Sequence, residues 1–256
     1  MLGRLAHLNV AVLGSGPRAL ASAICLSRHH RVLLGEAGRL RAQRRLARLP
    51  MHPEEPGLDE LMRRVAIDIG FTDSYASALD SADLVVIAEQ PAFQPAQRRF
   101  DLSAIEACLA AVARRRPRAA VVLEAPTPVG YAIQASQRHC LQVIPAPLLL
   151  RPGRMAWDRA RPQRVVVGDV SERGLAYAFL AVRSCGDPNT PYLLTHPSEA
   201  EAIHALERRR GVRGASETRE MVIDYCRRRR LNEEQVLRAM LPLDYVHESL
   251  GSAPPV

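Results

Sequence analysis

The sequence contains no lysine, and all 35 basic residues are arginine. No side-chain amine is therefore available as a Schiff-base former, a general base or an oxyanion partner, roles that a guanidinium does not take. Aromatic residues are scarce, at 4%, and none interleave the arginine runs at 114–116, 208–210 and 227–230 as a nucleic-acid surface would require. Those runs read as solvated helix ends. No apolar run approaches the ~20 residues of a membrane span, and the N-terminus lacks the long apolar core of a signal peptide, so the expected compartment is the cytoplasm. The five cysteines, Cys25, Cys108, Cys140, Cys185 and Cys226, have no metal-type spacing and mostly sit in apolar patterns. They read as buried thiols, and no metal site is expected. The net charge of +8 favours an anionic ligand or partner.

What is present is organised around residues 8–19. Val10, Ala11, Val12 and Leu13 form an apolar run that reads as a buried parallel strand. The run breaks at Gly14-Ser15-Gly16, after which Leu20, Ile24 and Leu26 resume at helical spacing. In a dinucleotide-binding βαβ unit the first glycine makes the turn and the second lets the backbone approach the pyrophosphate. The helix N-terminus then faces the phosphates with its unpaired N–H groups. Ala19 stands in the third place, where helix and sheet pack closely, and Pro17 suits the first helical position. Arg18 is unusual there, and either pairs with phosphate or crowds it. A second apolar run, 31–35, ends on Glu36, about 20 residues past the loop, where an acid is expected to bind the adenosine ribose. Glu36 would repel a 2′-phosphate, so NAD is expected over NADP, although Arg39 and Arg41 make that preference modest.

Farther on, 39–49 reads as an exposed basic helix and 51–61 as a proline-bracketed loop leading into a short helix. A strand is expected at 67–71, a helix at 75–79 capped by Asp73, and a buried strand at 83–88 that ends on Glu89-Gln90-Pro91. Ligands sit beyond such strand ends in an open parallel sheet, which places Gln90 and Pro91 in the candidate cleft. An amphipathic helix with Asp101 as N-cap leads to a strand at 119–123. Glu124 follows it and is expected at the cofactor site with Gln90 and Pro91, where it reads either as a general base beside the cleft or as a solvated strand-end acid. A strand at 141–144, a second cleft loop at 145–154 and late short strands at 164–168 and 192–195 continue the βαβα pattern of a mainly parallel sheet. From Pro197 the character becomes helical. Ile203, Leu206, Met221, Val222 and Tyr225 are apolar positions expected to form an exposed stripe, and hence a homodimer interface. The expected architecture is α/β: a Rossmann-type doubly wound sheet over 1–196, then a helical dimerisation-type segment over 197–256 with a disordered tail at 251–256.

The order of these motifs resembles the UDP-glucose/GDP-mannose dehydrogenase family, NAD-dependent enzymes that oxidise the C6 alcohol of a nucleotide sugar to a carboxylate. The matching landmarks are the glycine loop with Glu36, Glu55-Pro-Gly-Leu-Asp-Glu-Leu61, Ile87-Ala-Glu-Gln-Pro91, Asp101-Leu, Pro128-Val-Gly130, Arg151-Pro-Gly153, Arg164-Val-Val-Val-Gly168 and Pro197-Ser-Glu-Ala-Glu201. The resemblance runs to about Val246, and the family's third region with its cysteine loop finds no counterpart in this sequence. The departures fall on the chemistry. Gln90-Pro91 stands for the family's Thr-Pro, and Ala125-Pro126 for its Ser-Thr. Leu148 and Pro152 stand for two functional glutamates, and His204 and Arg208 for a lysine and an asparagine. A four-electron oxidation through a thiohemiacetal needs a thiolate, a base and oxyanion donors. His204 is a candidate base, Glu124 another, and Cys226 sits in a helical, arginine-flanked context unlike a nucleophile loop. Two readings follow from the resemblance. One is a binding protein of glycan or polysaccharide biosynthesis that holds NAD, with a nucleotide sugar or a protein partner, and has lost the oxidation. The other is an active NAD-dependent oxidoreductase on an alcohol or nucleotide sugar.

Overall fold

A computed structural model describes residues 7–35, 55–64, 69–97, 99–116, 118–151, 153–211 and 214–241. Glu36, Arg39, Arg41, the basic helix expected at 39–49, Pro152 and the tail at 251–256 lie outside the described residues.

Short apolar runs rich in valine and leucine suit strands buried on both faces. Six of them form one parallel sheet: β1 (Asn9–Leu13), β2 (Arg31–Gly35), β3 (Ile69–Thr72), β4 (Leu84–Ile87), β7 (Ala120–Leu123) and β8 (Gln142–Pro145). Their order across the sheet is β3-β2-β1-β4-β7-β8, so the winding direction reverses between β1 and β4. This is the dinucleotide-type doubly wound order. Between β4 and β7 a small antiparallel hairpin, β5 (Phe93–Gln94) and β6 (Arg99–Phe100), was not foreseen from sequence.

The two faces of the sheet separate by residue parity. Val10 and Val12 face one core with α1 (Pro17–Leu26), α2 (Pro56–Arg64), α6 (Met155–Ala160) and α7 (Glu172–Arg183). Ala11 and Leu13 face the other with α3 (Tyr75–Leu79), α4 (Ser103–Arg115) and α5 (Tyr131–His139). Helix α1 is buried along nearly its whole length because α6 and α2 pack against it, as a helix apolar on all faces requires. Ser74 caps α3 by accepting the Ser77 N–H, in place of the expected Asp73. Asp101 stands two residues before α4 and still receives the Ser103 N–H at 3.0 Å.

The late strands depart from expectation. β9 (Val165–Val167) and β10 (Tyr192–Leu194) do not extend the main sheet but form a separate parallel pair. Beyond them α8 (Pro197–Arg210), α9 (Ala215–Arg229) and α10 (Glu233–Met240) enclose a third core. Asn232 caps α10 as expected, accepting from Gln235 N–H at 3.1 Å. The exposed stripe expected on these helices is absent. Ile203, Leu206 and Val222 are fully buried, Tyr225 is nearly so, and Met221 packs beside them. The helices satisfy their own apolar faces against α10 and Val166, which removes the reason for expecting a dimer there.

Candidate functional site

The main-sheet ladder runs one residue past the strand ends. Gly14 N–H donates to Gly35 O, Ala88 N–H to Leu13 O, Glu124 N–H to Ile87 O and Ala146 N–H to Leu123 O, each at 2.9–3.0 Å. The result is a level rim at the C-terminal edge, where open α/β sheets bind ligands at the reversal of strand order.

The glycine loop crosses that rim between β1 and α1. A Cβ on Gly14 would lie 2.9 Å from Ala19 Cβ and 3.0 Å from the Ala88 backbone, so the close turn is filled by the protein itself. A Cβ on Gly16 would meet only Gln90 Cβ, at 3.8 Å. The second glycine thus sits without a close neighbour at the N-terminus of α1, whose first turn carries no acid. An anion finds there both N–H donors and the positive end of the helix dipole. Ser15 is exposed, and its hydroxyl donates to Glu89 at 3.1 Å, while Tyr75 OH donates to the other Glu89 oxygen at 3.0 Å. Glu89, buried beneath the loop, holds the turn in place.

Arg18 is 3% exposed. Its Nε donates to Gln90 Oε1 at 3.0 Å, and its Nη1 to the carbonyls of Leu148 at 3.1 Å and Glu124 at 3.4 Å. One side chain thereby joins the loops that follow β1, β4, β7 and β8. Pro91 is buried behind Gln90, which is itself exposed.

Glu124 corrects the expectation of a cleft-side acid. Its side chain is 0% exposed. It receives Tyr177 OH at 2.7 Å and the Ser22 hydroxyl, and pairs with Arg159 Nη2 at 3.4 Å. Burial, and then the Glu124 charge, push the Tyr177 phenol well above its ordinary value, which keeps it a donor. Arg159 is 2% exposed, its Nη1 reaches Cys185 Sγ at 3.9 Å, and its Nε has no hydrogen-bond partner. Sequence reasoning missed Ser22, Arg159 and Tyr177. Tyr177 carried no signal beyond an apolar helical face, and Arg159 was one arginine among 35.

Beyond this cluster a cleft of about 700 Å³ opens, lined among others by Arg18, Gln90, Arg151, Arg161, Arg164, His204 and Arg210. Arg151 and Arg210 pair there with Asp158 and Glu207, which also line the cleft, and the excess of guanidiniums over carboxylates suits an anionic guest. His204 is 7% exposed on α8 and lines the wall, and Leu148 is there as well. Two buried carboxylates fix the cleft's frame. Glu55 accepts Gly153 N–H at 2.5 Å and Met155 N–H at 3.1 Å, which ties the chain before α2 to the start of α6. Glu201 on α8 accepts Gly130 N–H at 2.6 Å, Ala132 N–H at 2.8 Å and Thr127 OH at 3.0 Å, capping α5.

Cys226 is fully buried, and burial pushes its thiol up to about 11, so no thiolate forms there near neutral pH. Among the described residues no group of three or more His, Cys, Asp or Glu could hold a metal ion. No described helix is long and apolar enough to cross a membrane.

Residues 8–179 match the NAD binding domain of the UDP-glucose/GDP-mannose dehydrogenase family. The chain is 23% identical over 203 residues to UDP-glucose 6-dehydrogenase of Campylobacter jejuni, covering 77% of this chain and 50% of that protein. A second UDP-glucose 6-dehydrogenase, from Streptococcus pneumoniae, is 21% identical, covering 76% of this chain and 51% of that one. The chain therefore spans about half the length of the curated relatives it matches. Among solved structures, a UDP-glucose dehydrogenase from the archaeon Pyrobaculum islandicum superposes with a TM-score of 0.67 at 23% identity, covering 91% of this chain and 60% of its own. With the fold, the glycine loop and the match over 8–179 in agreement, the chain belongs to the UDP-glucose/GDP-mannose dehydrogenase family and carries its NAD binding domain.

Proposed function

We propose that this chain works by binding NAD at the glycine loop and an anionic ligand of nucleotide-sugar type in the neighbouring cleft, without the family's oxidation to a carboxylate. The observation that supports NAD most directly is Gly16, which stands at the N-terminus of α1 on the rim with no neighbour closer to its missing Cβ than Gln90 at 3.8 Å. Gly14, Ser15, Gly16 and Pro17 would hold the pyrophosphate, Glu36 the ribose, and Gln90 and Pro91 would flank the site. NAD, when bound, supplies a hydride acceptor. Among the described residues, neither Glu124 nor Cys226 is placed to take the further roles. Glu124 is locked under Arg159 and Tyr177, and Cys226 is buried and protonated. A binding role would serve a partner in glycan or polysaccharide biosynthesis, such as a full-length dehydrogenase.

His204 on the cleft wall supports a second reading, a single hydride transfer from an alcohol with His204 as base. Purified protein at saturating UDP-glucose and NAD, followed by absorbance of NADH, tests both. The first reading expects no turnover with UDP-glucose or a panel of alcohols, together with calorimetric binding of NAD and of UDP-glucose. Turnover abolished in His204→Asn would establish the second, and two NADH formed per sugar would overturn the first.

A further inference from the structure

We propose that Arg18 is a specificity-determining residue that stands between the glycine loop and the cleft over the second half of the dinucleotide crevice, so that the site favours a ligand ending at its adenosine diphosphate half. The inference rests on the NAD-site reading above. A dinucleotide crosses the rim at the β1/β4 reversal, with one mononucleotide over each half of the sheet. On the half that faces β1 and β2, a Cβ on Gly16 would make only an ordinary contact with Gln90 Cβ at 3.8 Å, so among the described residues the glycine loop itself does not obstruct a ligand. The other half lies over the ends of β4, β7 and β8, and Arg18 bonds to the residues at those ends: Gln90 Oε1, Glu124 O and Leu148 O. Its place early in α1 explains this. Side chains on a helix tilt toward its N-terminus, so a long one there lies across the strand ends. At 3% exposure the guanidinium is packed in position rather than waving over the loop. It also carries the same sign as an oxidised nicotinamide ring. To admit the second half, Arg18 must leave three acceptors, and ligand affinity falls by the fraction of time it is displaced.

Titration calorimetry of the full chain with ADP and with NAD, for the wild type and Arg18→Val, tests the assignment. The wild type should bind NAD no more tightly than ADP. Arg18→Val should tighten NAD at least 10-fold while leaving ADP within threefold. Loss of both ligands in the variant would make Arg18 a phosphate ligand and overturn the proposal. Unchanged selectivity, or a wild type that already prefers NAD 10-fold, would overturn it too. A wild type and variant that bind neither ligand would overturn the dinucleotide reading itself and this proposal with it. Thermal melting checks the fold of Arg18→Val. Should that variant not fold, Gln90→Ala removes the Nε acceptor at an exposed position and should shift the NAD/ADP ratio about threefold in the same direction; a ratio that does not move counts against the proposal.

Discussion

At the scale of single residues, the two glycines of the loop answer to different constraints, and substitution separates them. Gly16→Ala adds a methyl that meets only Gln90 Cβ at 3.8 Å. Melting temperature should stay within ~2 °C of wild type while the heat of NAD binding disappears, because the methyl enters the space the pyrophosphate uses. Gly14→Ala forces a methyl to 2.9 Å from Ala19 Cβ and 3.0 Å from the Ala88 backbone. Overpacking of that kind typically costs about 1–3 kcal/mol, read as a lower urea midpoint. Equal effects of the two substitutions on stability would contradict this division. Glu124 gives the sharper stability test. Glu124→Ala leaves Arg159 buried without its carboxylate, and removing one partner of a buried pair costs about 3–5 kcal/mol. Chemical denaturation should show that loss; a change under about 1 kcal/mol would mean that the pair is dispensable.

At the scale of elements, what was legible in sequence was what rests on local pattern. The apolar runs expected as strands at 10–13, 31–35, 83–88 and 119–123 became β1, β2, β4 and β7, the last two shorter than expected, and the glycine turn stands where its spacing put it. The Asn232 cap also held, since a cap needs only the three residues that follow it. Long-range pairing was not legible. β9 looks like any other valine run, and only its pairing with β10 shows that it stands outside the main sheet, which it touches past its end where Gly168 N–H reaches Pro145 O at 2.7 Å. The helices after Pro197 were misjudged for the same reason. Their apolar positions were visible, but whether a partner chain or α10 would cover them depends on contacts distant in sequence. Of the site, the loop was readable and the network beneath was not, because Ser22, Arg159 and Tyr177 come from three helices and meet Glu124 just past the end of β7. Glu201 belongs to this class of contact. It joins α8 to the start of α5 through three donors, and Glu201→Ala leaves those donors without an acceptor. An unsatisfied buried group costs about 1–3 kcal/mol, so urea unfolding should shift by at least that much. An unaltered midpoint would show that water replaces the carboxylate.

At the scale of the whole molecule, two buried groups give stability opposite slopes with pH. His30 sits where α1 turns back into β2, and its Nδ1 accepts the Leu8 N–H at 3.3 Å. Burial, with the neighbouring charges of His29, Arg183 and His7, lowers its pKa from 6.5 to about 4. Between those values the unfolded chain binds a proton that the folded chain refuses, so the contribution of His30 is present above pH 6.5 and is lost as pH falls toward 4. Glu201 runs the other way. Burial raises it from 4.5 to about 7, against the pull of its three donors, so its contribution falls as pH rises across that window. The two windows overlap, and the wild-type curve alone hides both slopes. The difference between wild type and His30→Asn isolates one of them, because asparagine keeps an oxygen acceptor for the Leu8 N–H and does not titrate. That difference, from urea unfolding at a series of pH values, should grow in favour of wild type by about 1–3 kcal/mol between pH 4 and pH 6.5 and then level off. A difference independent of pH would mean that His30 takes up its proton in the folded chain as readily as in the unfolded one, and that the turn between α1 and β2 admits the charge.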